Sequence, residues 1–204
     1  MSHFYKFFTS ISVMLIFTAC GGGDNPNAED GIQVSITVSN LPTEVTINKA
    51  DTPDGRVEYN WAVTFDMDNN GAFSTGDIVL QILHFKRPGS AETTVNVDSL
   101  PADLWLLTSS TQTQSQFPID MSISGNTITM SIERSALAAL QTIDESTMVF
   151  FDTSYYDSNS GLNAFDYYPD VLGFVNIPTS GMFTDPAADT AFDLIDMIEM
   201  DIVL

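Results

Sequence analysis

The segment from Phe65 to Ile78 carries oxygen-bearing side chains at alternate positions, in the order FDMDNNGAFSTGDI. This spacing lets short side chains of one loop converge on a single point, and Gly71 permits the sharp turn that convergence requires. The residues at the six ligand positions of such a twelve-residue loop are Asp66, Asp68, Asn70, Ala72 through its carbonyl, Ser74 and Asp77. Because hard divalent cations prefer oxygen ligands, the segment predicts a calcium site.

Two features distinguish this loop from an EF-hand. Its flanks have the alternating pattern of strands instead of helices, and its last ligand is Asp77 where a longer Glu is usual. An extracellular site of this kind commonly has a dissociation constant on the order of 0.1–1 mM. The alternative interpretation is an acidic turn between two strands, closed by Asx-type hydrogen bonds and holding no ion.

A second segment that could bind a ligand lies between residues 153 and 170, where tyrosines are interspersed with Asp and Asn. Flat rings surrounded by hydrogen-bonding groups suit a pyranose, so we expect a glycan or another small ligand to bind here. The candidate ligand-binding residues are Tyr155, Tyr156, Asp157, Asn159, Asp166, Tyr167 and Tyr168. Two alternatives are open: the rings pack this segment onto the domain, or a second ion is held by Asp157, Asn159, Asp166 and Asp170.

The residue inventory offers little for catalysis. His84 is the only histidine beyond the N-terminal segment and Cys20 is the only cysteine. The chain therefore has too few His and Cys residues to make a nucleophilic triad or a zinc site an expected feature. A glycine-rich phosphate loop followed by Lys is also missing from the sequence. A glycosidase-type pair of carboxylates stays open, because sequence alone does not show which acids converge. We therefore expect a binding protein and not an enzyme.

The chain is strongly acidic, with 27 Asp and Glu against 6 Lys and Arg and a formal net charge of −21. Such a surface repels nucleic acid, so nucleic-acid binding is not expected. The same charge presents many oxygen ligands to hard cations. Solubility in a salty medium explains the charge equally well.

The N-terminus has the pattern of an export signal. Lys6 supplies a positive charge, and Phe7 to Phe17 is an apolar run too short to span a bilayer permanently. Thr18 and Ala19 stand directly before Cys20. This arrangement resembles the lipobox of bacterial lipoproteins, with Phe17 in the place of the usual Leu.

The lipobox resemblance implies that residues 1–19 are a signal peptide and that Cys20 carries the acyl chains of a membrane anchor. Since Gly21 and not Asp follows the cysteine, it also implies a place in the cell envelope at the outer membrane. Residues 20–31 are then the lipidated cysteine and a flexible linker rich in Gly, Asn and Asp. With its only thiol lipidated, the exported domain has no disulfide.

Residues 32–204 predict one all-β domain, an antiparallel β-sandwich of jelly-roll-like form with one short helix. Residues 33–39 and 57–65 alternate apolar and polar side chains, whereas residues 78–85 are apolar on both faces, as in a central strand. Further strands are expected at residues 148–151, 171–177 and 194–204, with a long loop at 153–170. The predicted helix is Ser135–Ile143, capped by its first residue.

The text IDMSISGNTITMSI, from Ile119 to Ile132, predicts a β-hairpin. The Gly125-Asn126 dipeptide accepts the positive φ angles of a two-residue turn. That turn would set the register so that one face carries the pairs Ile123–Ile128, Met121–Met130 and Ile119–Ile132.

Three short motifs carry a family resemblance. A strand bearing Trp61 and ending in DMDNNG, a later GNTITMSIERSAL and an FDYYPD segment resemble the DOMON-like sandwiches related to family-nine carbohydrate-binding modules, over Val57 to Asp170. The resemblance implies a jelly-roll-like sandwich with calcium supporting a loop and, in some members, a sugar or haem site, for which His84 and a Met would be the haem ligands.

Two functional hypotheses result, from different classes of protein. The first is a surface- or periplasm-exposed lipoprotein whose calcium-binding sandwich captures a glycan or another small ligand. The alternative is a structural envelope lipoprotein that uses calcium only for rigidity.

Overall fold

A computed structural model describes residues 31–47, 57–84, 93–109, 112–157, 160–170, 173–185, 190 and 192–204. The predicted signal peptide and Cys20 lie outside these residues. The described chain consists of β-strands and short 3₁₀ turns, and the predicted all-β class is confirmed. In chain order the strands are β1 Gly31–Val38, β2 Glu44–Ile47, β3 Val57–Asp66, β4 Ile78–His84, β5 Thr93–Asn96, β6 Ala102–Ser109, β7 Gln112–Pro118, β8 Asp120–Ser124, β9 Thr127–Glu133, β10 Met148–Asp157, β11 Leu162–Tyr168, β12 Val175–Asn176, β13 Met182–Thr184 and β14 Met197–Val203.

These strands form two principal sheets in which neighbours pair antiparallel. The small sheet has five strands in the order β13-β14-β1-β9-β8. The large sheet has seven, in the order β11-β10-β3-β4-β6-β7 with β12 paired to β10. Strands β2 and β5 form a separate pair. The two principal sheets share one hydrophobic core, which is the predicted sandwich.

The core forms because alternate residues of each strand turn toward the opposite sheet. Val34, Ile36 and Val38 of β1 are fully buried on the small sheet, as are Trp61 and Phe65 of β3 on the large one. Each such side chain contributes about 1.5–3 kcal/mol when it leaves water. Strand β4 lies between β3 and β6, so the predicted central strand is confirmed.

The predicted β8–β9 hairpin is confirmed with its register. Ile123 pairs with Ile128 and Met121 with Met130, and Gly125 has a φ of 60° in the turn. Ile119 lies just before β8, and its N–H donates to the carbonyl of Ala102 at 3.1 Å. The hairpin therefore begins one residue later than the sequence suggested.

The predicted helix Ser135–Ile143 is wrong: this segment forms two 3₁₀ turns, Arg134–Ala136 and Ala138–Thr142, joined by an extended Leu137. Leu137 packs against the core, and Leu140 and Ile143 are buried in it. Apolar residues at intervals of three match the three-residue period of a 3₁₀ helix and not the 3.6 of an α-helix. Core burial therefore selects the tighter turn.

The predicted loop over 153–170 is also wrong, because β10 and β11 form a hairpin there. Tyr155 pairs with Ala164 and Phe151 with Tyr168, and Gly161 in the turn has a φ of 69°. Residues 194–204 do contain the expected strand, β14. No helix in the described part of the chain is long and apolar enough to cross a membrane.

Candidate functional site

The predicted metal loop connects two neighbouring strands of the large sheet. It begins at Asp66, the last residue of β3, and ends at Asp77, directly before β4. The N–H of Gly76 donates to the carbonyl of Leu107 at 2.9 Å, and the N–H of Leu107 donates back to the carbonyl of Asp77 at 2.9 Å. Two hydrogen bonds to β6 therefore hold the C-terminal end of the loop.

Three carboxylates of this loop meet. Asp66, Asp68 and Asp77 each place an oxygen within 4.8 Å of the others, a separation at which one metal ion can be shared. Asp66 and Asp77 are 0% exposed, and Asp68 is exposed. The only Lys or Arg among the described residues is Arg134, whose guanidinium donates to two carbonyls elsewhere in the chain. Burying acids without a basic partner is costly, so a cation is the natural complement.

Backbone N–H groups aim the two buried carboxylates. Asp66 accepts hydrogen bonds from the N–H groups of Asn70 at 3.2 Å and Gly71 at 2.7 Å. Asp77 accepts from Met67 at 3.0 Å and from Ser74 at 2.6 Å. Burial raises the pKa of Asp77, and the charges of Asp66 and Asp68 raise it further against the lowering effect of the two backbone donors. A bound divalent cation would reverse this penalty on the ionised form.

The remaining predicted ligands divide into two kinds. Ser74 joins the cluster, because its Oγ lies 3.3 Å from Asp68 Oδ2 and 3.4 Å from Asp77 Oδ1. Asn70 instead donates its Nδ2 to Asp68 Oδ2 at 2.8 Å and accepts the N–H of Ala72 on its Oδ1 at 2.8 Å. In this arrangement Asn70 orients Asp68, and its amide must turn before its oxygen can reach an ion.

Sequence reasoning missed Asn69 and Phe73. Asn69 has a φ of 53°, and its Oδ1 accepts the N–H of Met148 at 3.0 Å, which ties the loop to β10. Phe73 packs edge-on against Phe150 and Phe174, with ring centroids 5.4 and 5.1 Å away. The tolerance of Asn for positive φ is a signal for the first contact. The sequence carries no signal for the second.

The candidate ligand-binding tyrosines do not share one surface. Tyr155 packs inward against Tyr59 and Phe192, with centroids 5.2 and 5.5 Å away, and Tyr168 packs against Phe183 at 5.7 Å. Strand alternation turns the remaining two tyrosines outward, Tyr156 and Tyr167. The predicted platform is thus divided between the core and the outer face of the large sheet.

The polar candidates of this hairpin are mostly inside the domain. Asp157 is 4% exposed and Asp166 is 2% exposed, and Asp166 Oδ2 accepts the N–H of Met197 at 2.5 Å. Asn159 lies outside the described residues. Within those residues, the loop triad is the one group of three acids close enough to share an ion, so Asp157, Asp166 and Asp170 form no second group of this kind.

No protein-family model matches the chain, and no curated protein or solved structure is significantly similar to it. The resemblance to DOMON-like sandwiches and to lipoprotein signals therefore stays a prediction.

Proposed function

We propose that this protein is a lipid-anchored envelope protein whose β-sandwich binds one calcium ion in the loop between β3 and β4. The observation that carries the proposal is the meeting of three carboxylates within 4.8 Å, two of them with no exposed surface. Like charges at this distance repel strongly away from water. A divalent ion converts that repulsion into attraction.

The chemistry of the loop favours calcium over other metals. Its candidate ligands are carboxylate, hydroxyl, amide and carbonyl oxygens, which suit hard cations and not zinc or copper. The loop is irregular, with positive φ at Asn69, Gly71 and Gly76. Calcium accepts six to eight oxygens in flexible geometry, whereas magnesium demands a near-ideal octahedron and retains several waters.

Calcium would stabilise the middle of the large sheet. The loop joins β3 to β4, bonds to β6 through Leu107 and bonds to β10 through Met148. An ion that fixes the loop therefore acts on four adjacent strands. Such an effect fits an exported domain that has no disulfide and depends on its core and on bound metal.

The N-terminal pattern supports the proposed anchor. Cys20 stands eleven residues before Gly31, where β1 begins, and β1 lies in the middle of the small sheet. A lipid on Cys20 would hold the sandwich close to a membrane by a short linker. Replacement of Cys20 by Ser should abolish palmitate labelling and signal removal, and normal processing of that variant would contradict the anchor.

The calcium site is tested by thermal unfolding of the full-length protein in detergent, with 10 mM calcium or with chelator. For a dissociation constant of 0.1–1 mM, calcium should add about 1.4–2.7 kcal/mol. A domain of this size should then melt about 3–10 °C higher. Asp68→Ala should remove the increment, because it deletes one ligand of the triad.

Asp98→Ala is the matched control, since Asp98 is an exposed acid on the 3₁₀ turn Val97–Ser99, outside the metal loop. It should retain the full calcium increment. Equal melting temperatures of the parent protein in calcium and in chelator would contradict the proposed site. So would a calcium increment that survives Asp68→Ala.

A further inference from the structure

An open cavity of about 660 Å³ lies beside the 3₁₀ turns that follow β9. Its volume is within the range of cavities that bind small ligands. One basic residue, two acids and two apolar residues contribute to its wall, namely Arg134, Asp144, Glu145, Ile143 and Leu204. We call it the end cavity. It presents both signs of charge to a ligand within one small volume.

Arg134 is held in place by the turn that it borders. Its Nη1 donates to the carbonyls of Leu140 at 3.0 Å and Ile143 at 2.7 Å, which orients the guanidinium. The three N–H groups on Nε and Nη2 donate to no residue in the described part of the chain. Because Nε and Nη2 lie along one edge of the guanidinium, they suit two oxygens of one phosphate. Arg134 is thus oriented in advance for an anionic group.

The two acids of the end cavity are exposed and suit a cationic group. Asp144 Oδ1 accepts the N–H of Ser146 at 2.8 Å and its hydroxyl at 2.6 Å. These bonds lower the pKa of Asp144, and the nearby charge of Arg134 lowers it further. Asp144 is therefore ionised at neutral pH. Both bonds go to Oδ1, so Oδ2 can accept from a ligand, and Glu145 adds a second carboxylate.

This combination of charges favours a ligand that carries an anion and an ammonium group together. An anion alone would be repelled by Asp144, by Glu145 and by the net charge of −21 on the chain. A cation alone would face the charge of Arg134 and leave its donors unused. A zwitterion pairs with both kinds of group, and its own net charge is zero.

The end cavity lies where the first strand of the sandwich begins. Gly31, the first residue of β1, pairs with Glu133, the neighbour of Arg134 in the chain. Since β14 runs antiparallel to β1, its C-terminal end also lies at the start of β1, and Leu204 directly follows it. The cavity and the point where the N-terminal segment joins the domain are therefore at the same end of the molecule.

The proposed lipid anchor would bring this end close to a membrane. Cys20 precedes Gly31 by eleven residues. A flexible chain of that length has a root-mean-square span of about 17–20 Å and cannot exceed about 40 Å. A tether this short raises the concentration of lipid headgroups near the cavity, so a weak site would be filled.

Exposed apolar side chains adjoin the end cavity. Leu204 is 36% exposed, Val203 is 48% exposed and Met182 is 50% exposed. Met182 pairs with Asp201, two residues from Val203, so strand alternation turns both apolar side chains outward from the small sheet. Apolar side chains that water does not favour can contact the boundary between headgroups and acyl chains. This end of the domain is thus suited to rest on a lipid surface.

We propose that the end cavity binds the phosphoethanolamine headgroup of a membrane phospholipid, with the phosphate on Arg134 and the ammonium on Asp144 and Glu145. A phosphocholine headgroup has no N–H to donate to the carboxylates. A phosphoglycerol headgroup has no cation and leaves both acids without a partner. The choice of a lipid as the source of this group rests on the proposed anchor, whereas the charges of the ligand are argued from the cavity alone.

The test titrates the full-length protein, in a detergent with an uncharged headgroup, with glycerophosphoethanolamine, which is the lipid headgroup without acyl chains. Ligand-observed NMR measures weak binding of this kind. Binding should be saturable with a dissociation constant on the order of 1 mM. The phosphocholine and phosphoglycerol diesters should bind about fivefold more weakly or worse.

Two variants test the two halves of the cavity. Arg134→Lys keeps the charge but loses the two-donor edge, and it should bind glycerophosphoethanolamine about tenfold more weakly. Glu145→Gln leaves the bonds of Arg134 to the turn intact and should bind it about two- to fivefold more weakly. It should also narrow the preference for phosphoethanolamine over phosphoglycerol, which a purely structural role of Glu145 would not change.

Glu44→Gln is the matched control, because Glu44 is an exposed glutamate on β2, in the separate β2–β5 pair. It should keep the affinity and the preference of the parent. No saturable binding of glycerophosphoethanolamine would overturn the proposal, as would equal binding of the three diesters. Folded Arg134→Lys and Glu145→Gln proteins that bind like the parent would also overturn it.

A last comparison distinguishes a lipid headgroup from a soluble ligand. Free phosphoethanolamine is a monoester with additional negative charge and should bind more weakly than the diester. Tighter binding of the monoester would contradict a lipid ligand. The titration contains no membrane, so it tests the cavity alone, whereas processing of Cys20→Ser tests the anchor alone.

Discussion

The metal loop and the β10–β11 hairpin both contain several Asp and Asn residues but have opposite geometries. In the loop, Asp66 and Asp68 are two residues apart and their carboxylates converge, because Asn69 and Gly71 turn the chain through positive φ. In the hairpin, Tyr155 and Tyr156 diverge to opposite faces because the chain is extended. Backbone conformation, and not composition, therefore decides whether the side chains of a segment meet.

The difference extends to the acids of the two regions. The acids of the loop meet at one point, and Arg134, the only Lys or Arg in the described part of the chain, donates to carbonyls elsewhere. Asp166 of the hairpin instead accepts a backbone N–H from β14 and links the two sheets. The loop acids are thus suited to a metal, and Asp166 has a structural role. Three measurements test whether this division holds.

The largest expected effect is that of Asp166→Ala. The change leaves the buried N–H of Met197 without its acceptor and should lower the free energy of unfolding by about 2–4 kcal/mol. Urea unfolding should give the same loss in calcium and in chelator, since no ion is involved. Asp170→Ala, at an exposed acid just beyond β11, is the control and should change stability by less than about 0.5 kcal/mol. A loss seen only in calcium would identify a second metal site in the hairpin.

A smaller effect should follow from Asp152, whose pKa of about 7 in the folded chain lies above its ordinary value of 3.8. The carboxyl group of Asp152 holds its proton more tightly in the folded state than in the unfolded state. The protonated group therefore contributes most to stability below pH 4, and this contribution is lost as the pH rises through 7. Asp152→Asn should remove that loss.

Asp152 keeps some exposed surface, which reduces the expected effect. We expect the free energy of unfolding of Asp152→Asn, measured relative to that of the parent, to be about 2 kcal/mol higher at pH 8 than at pH 4. Urea unfolding across this range in saturating calcium measures the difference between the two proteins and keeps the loop acids neutralised. A constant difference from pH 4 to pH 8 would show that folding does not raise the pKa of Asp152.

The smallest expected effect compares one glycine from each region. Gly71 and Gly161 have φ values of 75° and 69°, and an added Cβ would meet nothing within 4 Å in either place. Alanine should therefore cost about 1 kcal/mol of backbone strain at both positions in chelator. Only Gly71→Ala should also weaken calcium binding, which titration of the melting temperature with calcium would show. Equal calcium responses would mean that the loop backbone does not shape the site.

Local patterns in the sequence predicted much of the fold. The alternation of Val34, Ile36 and Val38 and the Gly125-Asn126 turn identified strands and a register that the structure confirms. The predicted helix failed because Leu137, Leu140 and Ile143 repeat every three residues, a 3₁₀ period close enough to 3.6 to mislead over one turn. The predicted loop at 153–170 failed because its aromatic residues occupy both faces of the hairpin and conceal the alternation.

The metal loop was visible in the sequence because its candidate ligands lie within twelve consecutive residues, so local turns alone bring Asp66, Asp68 and Asp77 together. The residues that strand register places side by side across the large sheet were not visible in the sequence, because Asp152, Ala62 and Asp103 come from strands far apart in the chain. Short-range spacing determines which side chains meet across a turn. Only the pairing of distant strands decides which meet across a sheet, because hydrophobic burial and not local propensity sets that pairing.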